Sequence, residues 1–414
     1  MKIGIYISGL GISKSNSVEN YAERLKNEIN FNTNGYQYET KIEKIHYSKN
    51  RESTVVSIFE KESPENPVYK FYDFKHNEIL TEDFKGRTLI YKSLWLFALV
   101  IRKFPLIIKR IFIPQNYSKP GQLMYVFSIF LILSLSLVLM FPAVLEATGQ
   151  FFSKESGKMT ELRKLIPIGD LKYISMKGIF IDFPNGCSFN IDFHWLSRMI
   201  VLFTALLVLL VPNANTIITD LATNFVCAND YLQHGSKKQL IQGNLEHLVD
   251  YITENEKDCK IHFHAYSFGS VLALDYVFPY GIKASKNALQ YCEAIVTIGT
   301  PYEFVNSYYP EFYNNRQTQP GDQLQWLNVY SAADALGSNF RKDGIAGDSE
   351  ISFKGASNKP FNINYEVYPI GKFNIIDFIM LYSIKVHDMY WDENTEGQSC
   401  LGLVYQEMKG KGLI

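Results

Sequence analysis

Ser267, Asp334 and His387, met in that order along the chain, are residue types that can together activate an oxygen nucleophile. A serine hydroxyl is a poor nucleophile at neutral pH until a base takes its proton. Imidazole titrates near neutrality and can be that base. A carboxylate behind the histidine fixes its tautomer and stabilises the imidazolium. The surroundings of Ser267 fit this chemistry. Residues Lys260 to Leu274 read as a strand, a sharp turn and a helix, with the serine at the apex. Ile261, Phe263 and Ala265 alternate as in a strand, while Val271, Leu272, Leu274 and Val277 recur at helical spacing. Ala265 two before the serine and Gly269 two after give the spacing of a nucleophile elbow, where larger side chains would collide in a strained turn. The same corner aims the Phe268 amide at the place where an oxyanion would form. Small-x-Ser-x-Gly alone also suits an ordinary strand-to-helix connection, so the rest of the chain has to supply the context.

The elements that must position these residues begin at the N-terminus. Met1 to Ser8 reads as a first strand and not as a secretory signal, its apolar run being too short. Ser8-Gly9-Leu10-Gly11 then forms a tight glycine loop, and Ser17 to Ile29 an amphipathic helix. A dinucleotide fingerprint would need glycine at Lys14, and a P-loop would need it at Ser13. The preferred reading is a loop whose amides face a site at the strand end, with Leu10 N–H as second oxyanion donor. Three strand-like runs follow, Thr40 to Tyr47, Thr54 to Glu60 and Val68 to Phe74. Beyond the middle of the chain, Lys237 to Ile252 reads as a helix leading into the serine strand. Glu293 to Gly299 and Gln325 to Ser331 read as further strands, and Tyr365 to Pro369 as an edge strand. Asp334 falls just past the end of one strand, and His387 follows all of them.

Composition narrows the function classes. A chain of 414 residues, 47% hydrophobic, has room for one large domain with an insertion, and its net charge of -1 gives no electrostatic case for nucleic acid. Five scattered cysteines show neither zinc spacing nor a disulfide framework, so no metal and no cofactor is expected. The composition changes at residue 93. Ser93 to Pro114 reads as a basic amphipathic helix on a membrane surface, with Arg102, Lys103, Lys109 and Arg110 on one face; a helix packed on the protein's own core is the alternative. Met124 to Leu145 holds no charged residue and is long enough to span a bilayer at ~1.5 Å per residue. A second span is expected at about Trp195 to Asn215, with a buried core helix as its alternative. Two spans return the chain to one side, as a single sheet shared by both halves requires. Basic residues before the first span favour a cytoplasmic catalytic part, with residues 146–194 outward.

Read together, Ile5 to Gly11, the Ala265 to Ser270 elbow, Ile295 to Pro301, Asn328 to Asp334 and His387 to Trp391 resemble the α/β-hydrolase superfamily. The likeness is to its serine esterase and lipase-like members in bacteria, over roughly 1–85 and 215–395. It implies a mainly parallel sheet with helices on both faces, interrupted by the helical membrane insert. The expected division is 1–90 and 216–414 for the hydrolase domain and 91–215 for the insert. It also implies Ser267, Asp334 and His387 as a triad, with Leu10 and Phe268 as oxyanion amides. The sequence departs from the family's pattern at Ala265, where glycine is commoner, and at Ser8-Gly9, where many members have His-Gly. Asp343 and Asp348 remain alternative acids, whereas Asp275 reads as structural and Asp388 neighbours His387 too closely. His262 and His264 could pair on a metal, though no third ligand is evident. The expected activity is cleavage of a lipid or other small acyl ester by an integral protein of a bacterial inner membrane, with the lipid bilayer as partner. Acyl transfer by the same serine and a non-catalytic interaction protein are the competing readings.

Overall fold

The computed structural model describes residues 1–10, 17–33, 37–87, 214–233, 235–314, 316, 324–343, 345–350, 353, 359–365, 386–391 and 399–414. It also describes strands within 174–192 and scattered helical positions between 91 and 109. The expected spans at 124–145 and about 195–215, and most of the amphipathic helix over 93–114, lie outside the described residues, where only helical backbone at positions such as 102–103 and 214–215 is seen. Among the described residues no helix is long and apolar enough to cross a membrane. The chain divides into two compact units, one of Met1–Arg87, Arg102–Phe127 and Thr223–Ile414, the other of Thr88–Ile101 and Ser128–Ala222.

The first unit opens with β1 (Lys2–Ile7), α1 (Val18–Asn32), β2 (Tyr38–Ser48), β3 (Arg51–Glu60), β4 (Pro67–Asp73) and α2 (His76–Lys85). The second unit holds a small antiparallel sheet of β5 (Ile174–Ser175), β6 (Gly178–Asp182) and β7 (Ser188–Asp192). Then come α3 (Ala214–Gln233), α4 (Gly235–Asn255), β8 (Lys260–Tyr266), α5 (Phe268–Val277), α6 (Lys286–Tyr291), β9 (Cys292–Ile298) and α7 (Tyr302–Tyr308). The chain closes with β10 (Gln325–Tyr330), β11 (Gly347–Asp348), β12 (Phe361–Asn364), a 3₁₀ turn at Val386–Asp388 and α8 (Cys400–Gly410).

Among the described residues nine strands make one mixed sheet in the order β11-β12-β10-β9-β8-β1-β4-β3-β2. The run from β12 to β4 is parallel, and antiparallel strands finish both edges. The chain is thus an α/β protein with a mostly parallel sheet. Parallel strands are buried on both faces, which is why Ile261, Phe263 and Ala265 of β8 are as buried as His262, His264 and Tyr266. The serine strand lies at the centre, paired with β1 on one side and β9 on the other.

Helices cover both faces. On one, α1 and α8 share a core with Tyr69, Phe71, Tyr266, Val296 and Val329. Ser17 caps α1 by accepting from Asn20 N–H (3.3 Å), and Val18, Tyr21, Ala22, Leu25 and Ile29 bury one stripe of it. A cap is worth ~1 kcal/mol, and each large buried side chain about 1.5–3 kcal/mol, so packing holds this helix more than its cap does. On the other face α5 lies against β8, with Phe263 meeting Tyr276 at 5.5 Å between ring centroids. Of the expected edge strand at Tyr365–Pro369 only Tyr365 lies among the described residues; the strand described just before it is β12, at Phe361–Asn364. Tyr365 adds one more bond, from its N–H to the Tyr330 carbonyl (2.8 Å).

Asp275 is structural. It is buried on α5, paired with Arg316, and accepts from Tyr231 O–H (2.7 Å) and Lys238 Nζ (3.0 Å), so it ties α3, α4 and α5 together. Arg316 also donates to the carbonyls of Phe312 (2.8 Å) and Phe278 (3.0 Å). Removing one partner of a buried pair strands the other charge, at about 3–5 kcal/mol. Lys238 stays beside Asp275 and offsets part of this. Arg316→Met is therefore expected to lower the urea unfolding free energy by about 3 kcal/mol; a loss below about 1 kcal/mol contradicts the clamp.

Candidate active site

The corner after β8 is strained where the sequence places the serine. Ser267 has φ 52° and ψ −124°, a left-handed backbone that a non-glycine residue adopts only when its surroundings enforce it. Its N–H still donates to the Ile298 carbonyl (2.8 Å), the last rung of the strand ladder. Ser270 fastens the first turn of α5 back to the strand, its Oγ donating to the Ala265 carbonyl (2.9 Å). Gly269 is required for a specific reason. A methyl group there would run into the backbone carbonyl oxygens of Ile7 and Ser8, at the end of β1. The elbow is thus pressed against the loop that follows β1. Gly9, in that loop, borders Ser267, since a Cβ on it would sit 3.0 Å from Ser267 Cβ.

The three candidate residues meet. His387 Nε2 is 2.7 Å from Ser267 Oγ, and His387 Nδ1 is 2.8 Å from Asp334 Oδ2. An ionised carboxylate only accepts, so Nδ1 carries the proton and Nε2 is left to accept from the serine. Asp334 is fully buried. Its Oδ1 accepts from Leu336 N–H (2.8 Å), and its Oδ2 accepts a further bond from Tyr390 O–H (2.9 Å). That hydroxyl in turn accepts from Ser331 N–H (2.9 Å), at the end of β10. Gly299, at φ 59°, lets the chain after β9 pass under the imidazole, where a Cβ would come within 3.1 Å of His387 Cε1.

No protein-family model matches the chain, and no match is found among the curated proteins or the solved structures.

Tyr266, the residue before the serine, supports His387 from below. Its ring stacks on the imidazole at 24° and 5.5 Å, and its hydroxyl donates to the His387 carbonyl (2.5 Å) beside Asp388 Oδ1 (3.2 Å). Burial pulls the His387 pKa down, but the Asp334 charge and hydrogen bond, helped by Asp388, outweigh it and leave the pKa above its ordinary value. Tyr266 and Tyr390 are the supports that sequence reasoning missed. The available signals were weak: Tyr266 shares a strand face with His264, and Tyr390 lies one helical turn beyond His387.

Of the other candidates, Phe268 and Leu10 adjoin this centre and the alternative acids lie apart from the relay. Phe268 opens α5, so its N–H has no partner within the helix, and its ring is buried against Tyr231. Leu10 follows Gly9 in the loop beside the serine. Asp343 is engaged by Arg341, which also donates to the Asp348 carbonyl (2.6 Å), and neither acid joins the triad. Asp388 acts at one remove, through Tyr266 and its charge.

His262 and His264 are fully used in a buried chain. Glu293 Oε2 accepts from His262 Nε2 (2.9 Å), so His262 Nδ1 accepts from Tyr69 O–H (2.7 Å). Tyr69 then accepts from His264 Nε2 (2.8 Å), and His264 Nδ1 accepts from Tyr21 O–H (2.7 Å). Each donor meets an acceptor with both rings neutral, and burial holds both histidines below their ordinary pKa. Among the described residues no group of three histidine, cysteine or acidic side chains is placed to hold a metal.

In ¹³C-histidine NMR, His387 is expected to titrate above about 6.5, the ordinary histidine value. Asp388→Asn removes a charge that favours the imidazolium, so the midpoint moves down. A midpoint below the ordinary value, or one unmoved by Asp388→Asn, contradicts this electrostatic account.

Proposed function

We propose that the protein is a serine hydrolase of carboxylic esters, built on an α/β-hydrolase type of scaffold. The observation that carries this reading is the unbroken relay from Ser267 through His387 to Asp334 at a strained strand-to-helix corner. A central parallel sheet with the nucleophile just past the carboxyl end of β8, and the acid past β10, supports the scaffold.

The reaction follows from the proton positions. Ser267 Oγ attacks the ester carbonyl carbon as its proton passes to His387 Nε2. The imidazolium that forms is stabilised by Asp334, which stays ionised. The carbonyl oxygen becomes an oxyanion beside the helix N-terminus, where the Phe268 and Leu10 amides are the donors. Collapse of the tetrahedral adduct expels the alcohol, which takes the proton from His387 Nε2, and leaves Ser267 acylated. Water then attacks the acyl carbon, giving its proton to His387, and the carboxylic acid departs as Oγ recovers a proton.

The membrane part of the proposal rests on sequence. The uncharged stretch 124–145 and the apolar stretch about 195–215 would anchor the protein in a bacterial cell membrane, with the catalytic part cytoplasmic. An anchored site favours a lipid or other acyl ester as substrate. An acceptor alcohol in place of water would make the same acyl-enzyme a transferase.

The test is turnover of short p-nitrophenyl esters by the detergent-solubilised chain, with and without acceptor alcohols. Ser267→Ala and His387→Ala are each expected to lower kcat by about 10⁴-fold or more, and Asp334→Asn, which reverses the histidine tautomer, by about 10⁴-fold. Turnover by Ser267→Ala within tenfold of wild type rules this reading out. New esters formed from the added alcohol would assign the chain to acyl transfer.

A further inference from the structure

We infer that Asn77, on α2 and outside the triad, is the positioning residue that aims the Leu10 amide at the reacting carbonyl oxygen; this rests on the acyl-enzyme reading above. Asn77 Nδ2 donates to the Gly9 carbonyl (2.9 Å) and to Ser8 Oγ (3.1 Å). A backbone carbonyl only accepts, so the amide must present its nitrogen here, and both of its hydrogens are used. Asn77 Oδ1 has no hydrogen-bond partner among the described residues, so the side-chain contacts seen there are the two made by its nitrogen.

The peptide plane turns this contact into a directional one. A trans peptide points its C=O and the following N–H in opposite directions. Holding the Gly9 carbonyl toward α2 therefore turns the Leu10 N–H away from α2. Gly9 borders Ser267, where a Cβ on it would fall 3.0 Å from Ser267 Cβ. Asn77 thus fixes the one torsional freedom that decides whether the Leu10 amide meets the oxyanion.

The platform under Asn77 is rigid. Phe74 N–H donates to the Tyr6 carbonyl (2.9 Å), which ties the end of β4 to β1, and His76 N–H donates to the Phe74 carbonyl (2.9 Å). Thr81 Oγ1 donates to the Asn77 carbonyl (2.7 Å). Lys237 of α4 reaches the Leu80 carbonyl (3.2 Å) and Asp83 (3.1 Å). A donor held by such a shell is aimed before substrate arrives.

The test compares wild type with Asn77→Ala and Asn77→Asp on p-nitrophenyl butyrate. The readouts are kcat, KM, Tm and the inhibition constant of phenylboronic acid, which forms an anionic tetrahedral adduct on a reactive serine. Losing an oxyanion donor costs about 10²–10³-fold, and a misaimed one about 10- to 100-fold. Both variants are expected to lose kcat by about 10- to 100-fold, and boronate affinity by a similar factor, with KM within about twofold. Asn77→Asp is nearly the same size but sets a carboxylate against the Gly9 carbonyl. It should lose as much as alanine, and it keeps the test open if the alanine variant does not fold. Unchanged kcat, or a fall in kcat with unchanged boronate affinity, in a variant of wild-type Tm overturns the role of Asn77 alone. Wild type that turns over no better than Ser267→Ala overturns the hydrolase reading, and this inference with it.

Discussion

The close approach of Gly269 to the carbonyl oxygens of Ile7 and Ser8 sets the position of nearly everything at the site. It lets α5 start directly against the end of β1, so two loops from distant parts of the sequence share one corner. The left-handed backbone of Ser267 follows from the same constraint, because the chain must turn from strand to helix without leaving the sheet. Strain of this kind is of the order of 1–3 kcal/mol. It is held by the β8 ladder to β1 and β9 and by the Ser270 fastening.

Around that corner Ser267, His387 and Asp334 are braced by aromatic residues more than by further charges. Tyr266 supports the imidazole through its ring and through the His387 carbonyl, while Tyr390 supports Asp334 and is itself fixed by Ser331. Among the described residues one buried carboxylate, Asp334, bonds to the imidazole. A charge-assisted bond in a dry setting is stronger than the same bond in water. The buried chain from Glu293 through His262, Tyr69 and His264 to Tyr21 continues this polar face of β8 away from the site, and it is satisfied without a charge on either ring.

Much of the frame was legible because burial pattern and turn chemistry agree there. The cores of β1, β8, β9 and β10, the helix α1, and the order Ser267, Asp334, His387 can be read from period, small residues and chain order. β12 could not, although Phe361 and Ile363 alternate with Asn362 and Asn364, because four residues are too short a run to stand out by period. Asn362 is buried, and its amide oxygen accepts from Asn328 Nδ2 (3.0 Å). The roles of Tyr390 and Asn77 were equally hidden, because each acts on backbone or side-chain atoms about 60 or more residues away, and local spacing does not encode such contacts. The small sheet β5-β6-β7 lies in a segment that reads only as polar and rich in aromatic residues. The paired-histidine alternative fell for a spatial reason, with the hydroxyl of Tyr69 lying between the two rings.

The central claim is that Ser267 is an activated nucleophile, and intact-mass analysis after treatment with a fluorophosphonate tests it most directly. One adduct per chain is expected, mapped to the peptide containing Ser267, absent in Ser267→Ala and slow to form in His387→Ala. Folded wild type that takes up no adduct, or an adduct that persists in Ser267→Ala, would contradict that claim.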